Sequence, residues 1–426
     1  MKKEFYINNR RKYIESIHEH SATILFSGVV YQRSADQDFK FSVNRNFYYL
    51  TGIDQANVIL VLVKGENNND YKEYLLVEEN DEVMSKWVGM KLTKEEAKEI
   101  SGVDKVLYLD SFESLVYSLF NSSRKACEGL TSLYLDLERR NDLDYSTKAL
   151  SFSHKFKKMY PEIKIENAYT KIVRLRMNKY PEEIAKMQES IDVTKGALEN
   201  VMSNIKPGLY EYQIETYYDS YIKYHGQKPV SFETICAAGK NATVLHYIDN
   251  NTIVKDQELV LFDLGCCTDY YISDISRTYP ANGHFTERQK QIYEIVLNCN
   301  KECIKFLKPG LSWDEYNNFA NKLLIKGLKQ IGLIKKDEEL INYYWHSIGH
   351  STGLDTHDPD LRKVKFEPGM VMTVEPGLYL ENEGIGIRIE DNVLITQDGC
   401  INLSKDIIKE IDEIEEYMKK NNKSTN

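Results

Sequence analysis

Cysteine is scarce in this 426-residue chain: seven residues, an odd number, with no CxxC spacing among them. That argues against a disulfide framework, and the thiols are expected to be reduced. The adjacent Cys266 and Cys267 would point to opposite faces of a strand, which makes them buried bystanders and not a redox or metal pair. Long apolar runs are missing as well. No stretch approaches the roughly 20 apolar residues of a membrane span. The opening MKKEFYINNRRKYIESIHEH is polar throughout and lacks the apolar core of a signal peptide. A cytoplasmic protein is expected. Nor is there an excess of positive charge, since 55 Lys plus Arg stand against 65 Asp plus Glu, a formal charge of -10. This leaves no electrostatic footprint for nucleic acid or an anionic membrane, so small molecules or peptides are the expected partners.

The length suits two domains, and the apolar content is ample for both cores. Residues 1–172 alternate short apolar runs (SATILFSG, ANVILVLV, EYLLVEE) with charged helix-like segments such as TKEEAKEISG, a βαβ-like rhythm that predicts an α/β domain. A long helical pattern then begins at Pro181, followed by Glu182 and Glu183 and stopped by Pro207-Gly208. The boundary is placed just before it, giving a second domain over 173–426. Thr286 and Gln289 form a capping-box pattern at the next helix, and Ser312 is the expected cap of a third. Strands are expected in FETICAAG and in two hairpins, and the polar tail KKNNKSTN is expected to fray.

Two acids interrupt the first hairpin, LVLFDLGCCTDYYISDISRTY, which otherwise reads as buried. An unpaired carboxylate is costly to desolvate there. A turn at Thr268 and Asp269 would set Asp263 opposite Asp274, with Cβ atoms only ~4.5 to 5.5 Å apart, where like charges repel. Such a pair needs a shared proton or a cation. The second hairpin repeats the pattern. With its turn near Asn382 and Glu383, Glu375 of TVEPG faces Glu390 of IRIED, and Pro376 must interrupt the ladder. One pair could be a proton-sharing dyad, but two pairs together with histidines are better explained by metal ions. The histidines are His346, His350 and His357 of HSIGHSTGLDTHD. A zinc-protease HExxH is rejected, because Ser347 follows His346 and Gly349 weakens a helix. Four carboxylates with one imidazole form a hard, oxygen-rich set that suits two Mn²⁺ or Co²⁺ ions better than structural zinc.

Asp263, Asp274, His350 in HSIGHSTGLDTHD, Glu375 in TVEPGLY and Glu390 in GIRIEDN resemble, in order and surroundings, the five metal ligands of the pita-bread metallopeptidases. More narrowly, the chain is similar to the Xaa-Pro aminopeptidase (aminopeptidase P) and prolidase group. FKFSVNRNFYYLTGID at 39–54 matches the segment closing the first strand of that group's creatinase-like N-terminal domain. The resemblance implies an α/β (α+β) architecture: a creatinase-like N-terminal α/β domain followed by a pita-bread catalytic domain. It implies two divalent ions per chain, Mn²⁺ first, with Co²⁺ or Zn²⁺ as alternatives. Asp263 would chelate one metal, Asp274 and Glu390 would bridge both, and His350 and Glu375 would complete the second. His246 falls where the group has a substrate-facing histidine, and His357 where one meets the scissile carbonyl or the leaving proline. His346 and Arg388 match supporting positions. Trp87 resembles a tryptophan that some members lend to a neighbouring subunit, although a packing or interface role is the plainer reading. A homodimer or homotetramer is implied.

The implied activity is hydrolysis of the bond between an N-terminal residue and proline by a metal-bridged hydroxide, with Glu375 as proton shuttle. Prolidase, acting on Xaa-Pro dipeptides, is the nearest alternative. Methionine aminopeptidases use a similar ligand set but usually lack the large N-terminal domain. Creatinase-like members and non-catalytic binding modules on this fold lack ligands that this chain retains.

Overall fold

The computed structural model describes residues 1–121, 129–139, 147–229 and 232–421, so residues 422–426 of the expected frayed tail lie outside the described residues. Two compact units divide the chain, Met1–Arg176 and Met177–Asn426. The helix Tyr169–Met177 spans residue 172. No helix among the described residues is long and apolar enough to cross a membrane.

The first unit is built on a six-stranded sheet in the order Lys105–Tyr108, Tyr71–Val77, Ile59–Lys64, Ser21–Phe26, Ser132–Leu135, Lys164–Asn167. The apolar runs occupy its centre, and Ile59–Lys64 is buried along its whole length. The βαβ-like rhythm is only half realised. Ser21–Phe26, Ile59–Lys64 and Tyr71–Val77 pair antiparallel, whereas the outer pairs are parallel. For Ile59–Lys64 and Tyr71–Val77 the reason is connection length: the short loop after Lys64 permits only an antiparallel return, while the helices between Val77 and Lys105 and between Leu135 and Lys164 allow parallel pairing. The segment 39–54 closes no strand. It forms the helix Arg45–Thr51, capped by Asn44, whose side chain accepts from the Phe47 N–H at 2.8 Å.

In the second unit the expected caps are present. Thr286 Oγ1 accepts from Gln289 N–H as Gln289 Oε1 accepts from Thr286 N–H, opening the helix Glu287–Phe306. Ser312 and Glu315 do the same for Trp313–Gln330. Pro181 begins the helix Pro181–Asn204, and Glu183 bonds back to the Tyr180 N–H at 2.8 Å. These helices cover small antiparallel sheets made largely from the two hairpins.

The first hairpin departs from expectation. Its turn lies at Asp269 and Tyr270, both with positive φ (50° and 68°), one residue later than read from the sequence. A left-handed pair matches the strand twist of a two-residue turn. The register therefore shifts by two, so that Asp263 faces Ser276 and not Asp274. A shift of two keeps every side chain on its face, and Asp274 becomes the diagonal neighbour of Asp263. The second hairpin has the expected register: Val374 faces Asp391 and Gly377 faces Arg388, on either side of the interruption at Glu375 and Pro376.

Candidate metal centre

At Glu375 and Glu390 the two strands of the second hairpin part, and each takes a new neighbour. Glu375 N–H donates to Ile348 O at 2.8 Å, and Thr373 N–H to His350 O at 2.9 Å, which lays the histidine-bearing stretch alongside. Glu390 N–H donates to Ser276 O at 3.0 Å, which brings in the strand that follows Asp274. A Cβ on Gly349 would stand 2.1 Å from Thr373 O, so this close approach demands glycine. Residues 346–350 form no helix, in keeping with the rejected zinc motif.

The parted strands gather the candidate ligands. Asp274, His350 and Glu390 each offer an atom within 4.8 Å of the others. His350 Nε2 lies 3.4 Å from Asp274 Oδ2 and 3.6 Å from Glu375 Oε1. Its Nδ1 meets Ser351 O at 3.0 Å, an arrangement that commits Nδ1–H to the backbone and leaves Nε2 facing the acids. Asp263 Oδ2 accepts from Arg388 Nη2 at 2.7 Å, while Asp263 Oδ1 is buried with no hydrogen-bond partner among the described residues. Asp274 N–H is held by Asn392 Oδ1 at 3.0 Å.

Electrostatics show what the set lacks. Burial, together with neighbouring acids, pushes the Asp274, Glu375 and Glu390 carboxyls above the ordinary carboxylate range. Burial alone would lower His350. The hydrogen bond to Asp274 and the charges of Glu375 and Asp274 outweigh it and raise the imidazole to about 9. Four acids against one guanidinium and one imidazole are short of positive charge, and the orphaned Asp263 oxygen faces the same deficit. Oxygen-rich ligands with one imidazole nitrogen fit hard divalent ions.

The remaining sequence candidates of the second unit surround this cluster. His346 is pushed down to about 3 by burial and by Arg388. Its Nε2 meets Tyr379 OH at 2.9 Å and its Nδ1 meets Ser347 O at 2.8 Å. His357 stacks on His350, ring centroids 3.9 Å apart, and is lowered to about 4 by desolvation of its inner side and the charges of His350 and His246. His246 is exposed on a loop fixed by the buried Glu211, which accepts from Ala238 N–H (2.7 Å), Tyr247 OH (2.8 Å) and Thr252 N–H (2.9 Å). Trp87 belongs to the first unit, where it is 81% exposed on the helix Glu82–Val88. Arg388 reaches Glu390 through an intermediary: its Nε donates to Ser276 Oγ at 2.8 Å, and Ser276 Oγ donates to Glu390 Oε2 at 2.7 Å. Sequence reasoning missed Ser276 and Tyr379. Their signal was strand periodicity, since each lies an even number of residues from a candidate ligand.

The model of metallopeptidase family M24 matches residues 185–397, a span that contains all five candidate ligands. The chain belongs to this family. The aminopeptidase P N-terminal domain matches residues 6–127, so the M24 domain follows an α/β domain of aminopeptidase P type. Among curated relatives, the Xaa-Pro aminopeptidase of Escherichia coli (strain K12) is 32% identical over 436 residues, covering 96% of each chain. The Xaa-Pro aminopeptidase 3 of Homo sapiens is 31% identical, covering 92% of this chain and 80% of that one. Aminopeptidase P from E. coli in its low-pH form superposes with TM-score 0.91 at 30% identity, covering 99% of both chains. A Bacillus anthracis structure assigned to aminopeptidase P superposes with TM-score 0.96 at 48% identity over 99% of this chain. The family is one of divalent-metal peptidases, and Asp274, His350 and Glu390 form a candidate site for such an ion.

Proposed function

We propose that this chain is a metal-dependent exopeptidase that removes the N-terminal residue from peptides whose second residue is proline. It does so with two divalent ions, Mn²⁺ first, held by Asp263, Asp274, His350, Glu375 and Glu390. The observation that carries this reading is the convergence of Asp274, His350 and Glu390 within 4.8 Å, with Glu375 against the same imidazole. The relatives named above share this activity in their names.

Two bound ions would lower the pKa of a shared water toward neutrality and polarise a carbonyl oxygen. The chain's own groups do the rest. Arg388 holds Asp263 directly and Glu390 through Ser276, so two acids from different strands share one orienting cation. Glu375, with its raised pKa, is suited to carry a proton to the departing nitrogen. His357 is neutral near pH 7 and can present a ring N–H to the scissile carbonyl. His346 supports Tyr379, and Tyr379 in turn accepts from Arg388 Nη1 at 3.0 Å. A bond before proline has no N–H, so recognition cannot use that donor. Self-association as a homodimer or homotetramer is supported by the exposed Val83, Met84, Trp87, Val88 and Met90 on and beside one short helix.

Metal analysis of the purified chain and assays on three substrate sets test the reading: Xaa-Pro-Xaa tripeptides, Xaa-Pro dipeptides and methionine-initiated peptides without proline. About two ions per chain and tripeptide cleavage are expected. Dipeptide-only cleavage would move the assignment to prolidase, and full activity without metal would refute it.

A further inference from the structure

Pro376 leaves a gap in the second hairpin. Ile389 N–H donates to Pro376 O at 3.2 Å, but proline has no N–H to return the bond, so the Ile389 carbonyl loses its ladder donor. A buried carbonyl without a partner is costly. The missing donor comes from the helix Glu287–Phe306. Asn300, fully buried there, donates through Nδ2 to Ile389 O at 3.2 Å and to Val374 O at 3.1 Å. Its Oδ1 accepts from Lys409 Nζ at 2.8 Å. Lysine carries only donors, which fixes the orientation of the amide. Lys409 also pairs with the buried Asp391 at 2.6 Å, and Arg277 grips Asp391 from the other side at 2.8 Å.

The two carbonyls are those immediately before Glu375 and Glu390. Each of these peptide units is thus held at both ends, Val374–Glu375 by Asn300 and Ile348 O, Ile389–Glu390 by Asn300 and Ser276 O. A peptide plane held at both ends fixes the direction in which the next side chain leaves the backbone.

We propose that Asn300, oriented by Lys409, is a positioning residue that spans the parted strands and aims Glu375 and Glu390 at the metal. The proposal rests on the reading of these acids as ligands. Metal-stripped wild type, Asn300→Ala, Asn300→Asp and Lys409→Met are titrated with Mn²⁺ by EPR, melted in EDTA, and assayed for kcat and KM on an Xaa-Pro-Xaa tripeptide. Asn300→Asp nearly preserves shape but replaces both donors by oxygen. The expected result is Mn²⁺ affinity weaker by about 10- to 100-fold in the Asn300 variants, with kcat falling more than KM rises, and a smaller effect for Lys409→Met. The control is Asn9→Ala in the first unit, which removes a buried amide donating to Tyr49 O at 2.9 Å. It is expected to lower the melting temperature without moving Mn²⁺ affinity. Wild-type affinity and kcat in any folded Asn300 variant overturn the proposal, as does an equal loss of affinity in Asn9→Ala. If the Asn300 variants do not fold, Lys409→Met decides by the same criterion. A wild type that takes up no Mn²⁺ would instead refute the ligand reading itself.

Discussion

Both hairpins hold one register past their acids, but in the hairpin 259–280 pairing lapses only at Asp274, whose N–H and C=O are both held by the Asn392 side chain, whereas in the hairpin 371–395 it lapses at Glu375 and at Glu390 and resumes beyond them. The first keeps Asp263 within its ladder and hands only Asp274 to a neighbour, Asn392. The second gives up ladder bonds at its acids, and those backbone groups turn to other strands and to a helix. The contacts that matter then form between segments: Ser276 with Glu390 and Arg388 with Asp263 between the hairpins, and Asp274 with His350 of the stretch laid beside the second. Periodicity within a hairpin therefore chooses the face, and the parting chooses the partner.

The largest effect should come from removing the acid that links the first hairpin to the second. Asp274→Ala is expected to abolish peptide hydrolysis and to leave the far-UV circular dichroism unchanged. An active variant would show that the hairpins need not share this ligand.

The next largest is a dependence on pH with opposite sign in the two metal states. Without metal, the folded chain holds protons on Asp274, Glu375 and Glu390 more tightly than an unfolded chain would, and likewise on His350, raised from 6.5 to about 9. Its stability is accordingly lost as pH rises, and between pH 6.5 and 9 His350 adds to that loss. His346 and His357 titrate only below this window. Metal must displace the same protons, so Mn²⁺ affinity rises with pH and binding releases protons. Melting curves with EDTA and with Mn²⁺ at pH 6.5 and 9 check both signs, and a metal-free Tm that climbs over this range would contradict them.

Ser276→Ala tests the bridge between hairpins. Loss of its bonds to Arg388 and Glu390 should weaken Mn²⁺ binding by about 10- to 100-fold while leaving Asp263 paired with Arg388. The smallest effect belongs to the turn of the first hairpin. Tyr270→Gly relieves one left-handed residue but loses the ring under Lys228 Nζ at 5.4 Å, so the two effects should offset and stability should change by ~1 kcal/mol or less, with activity unchanged, as a thermal melt and a rate measurement would show.

Much of this was legible from residues alone. The caps at Thr286 and Ser312 obey local rules, and the metal candidates stand out because buried acids without partners demand a reason. Asp269 and Tyr270 hid the first register because neither is the glycine that normally marks a left-handed turn. Asn300 was invisible for another reason: within an amphipathic helix a buried amide looks like any polar residue until the broken ladder opposite it is seen. Ser276 likewise has meaning only beside Glu390, a contact between segments far apart in the chain.

Because each parted strand is tied to a different neighbour, neither hairpin can loosen alone without dismantling the other's share of the cluster. Local fluctuation is thereby forbidden where catalysis needs fixed geometry. The amides of Glu375 and Glu390 should exchange with deuterium only through the cooperative opening of the whole second unit, and at a common rate.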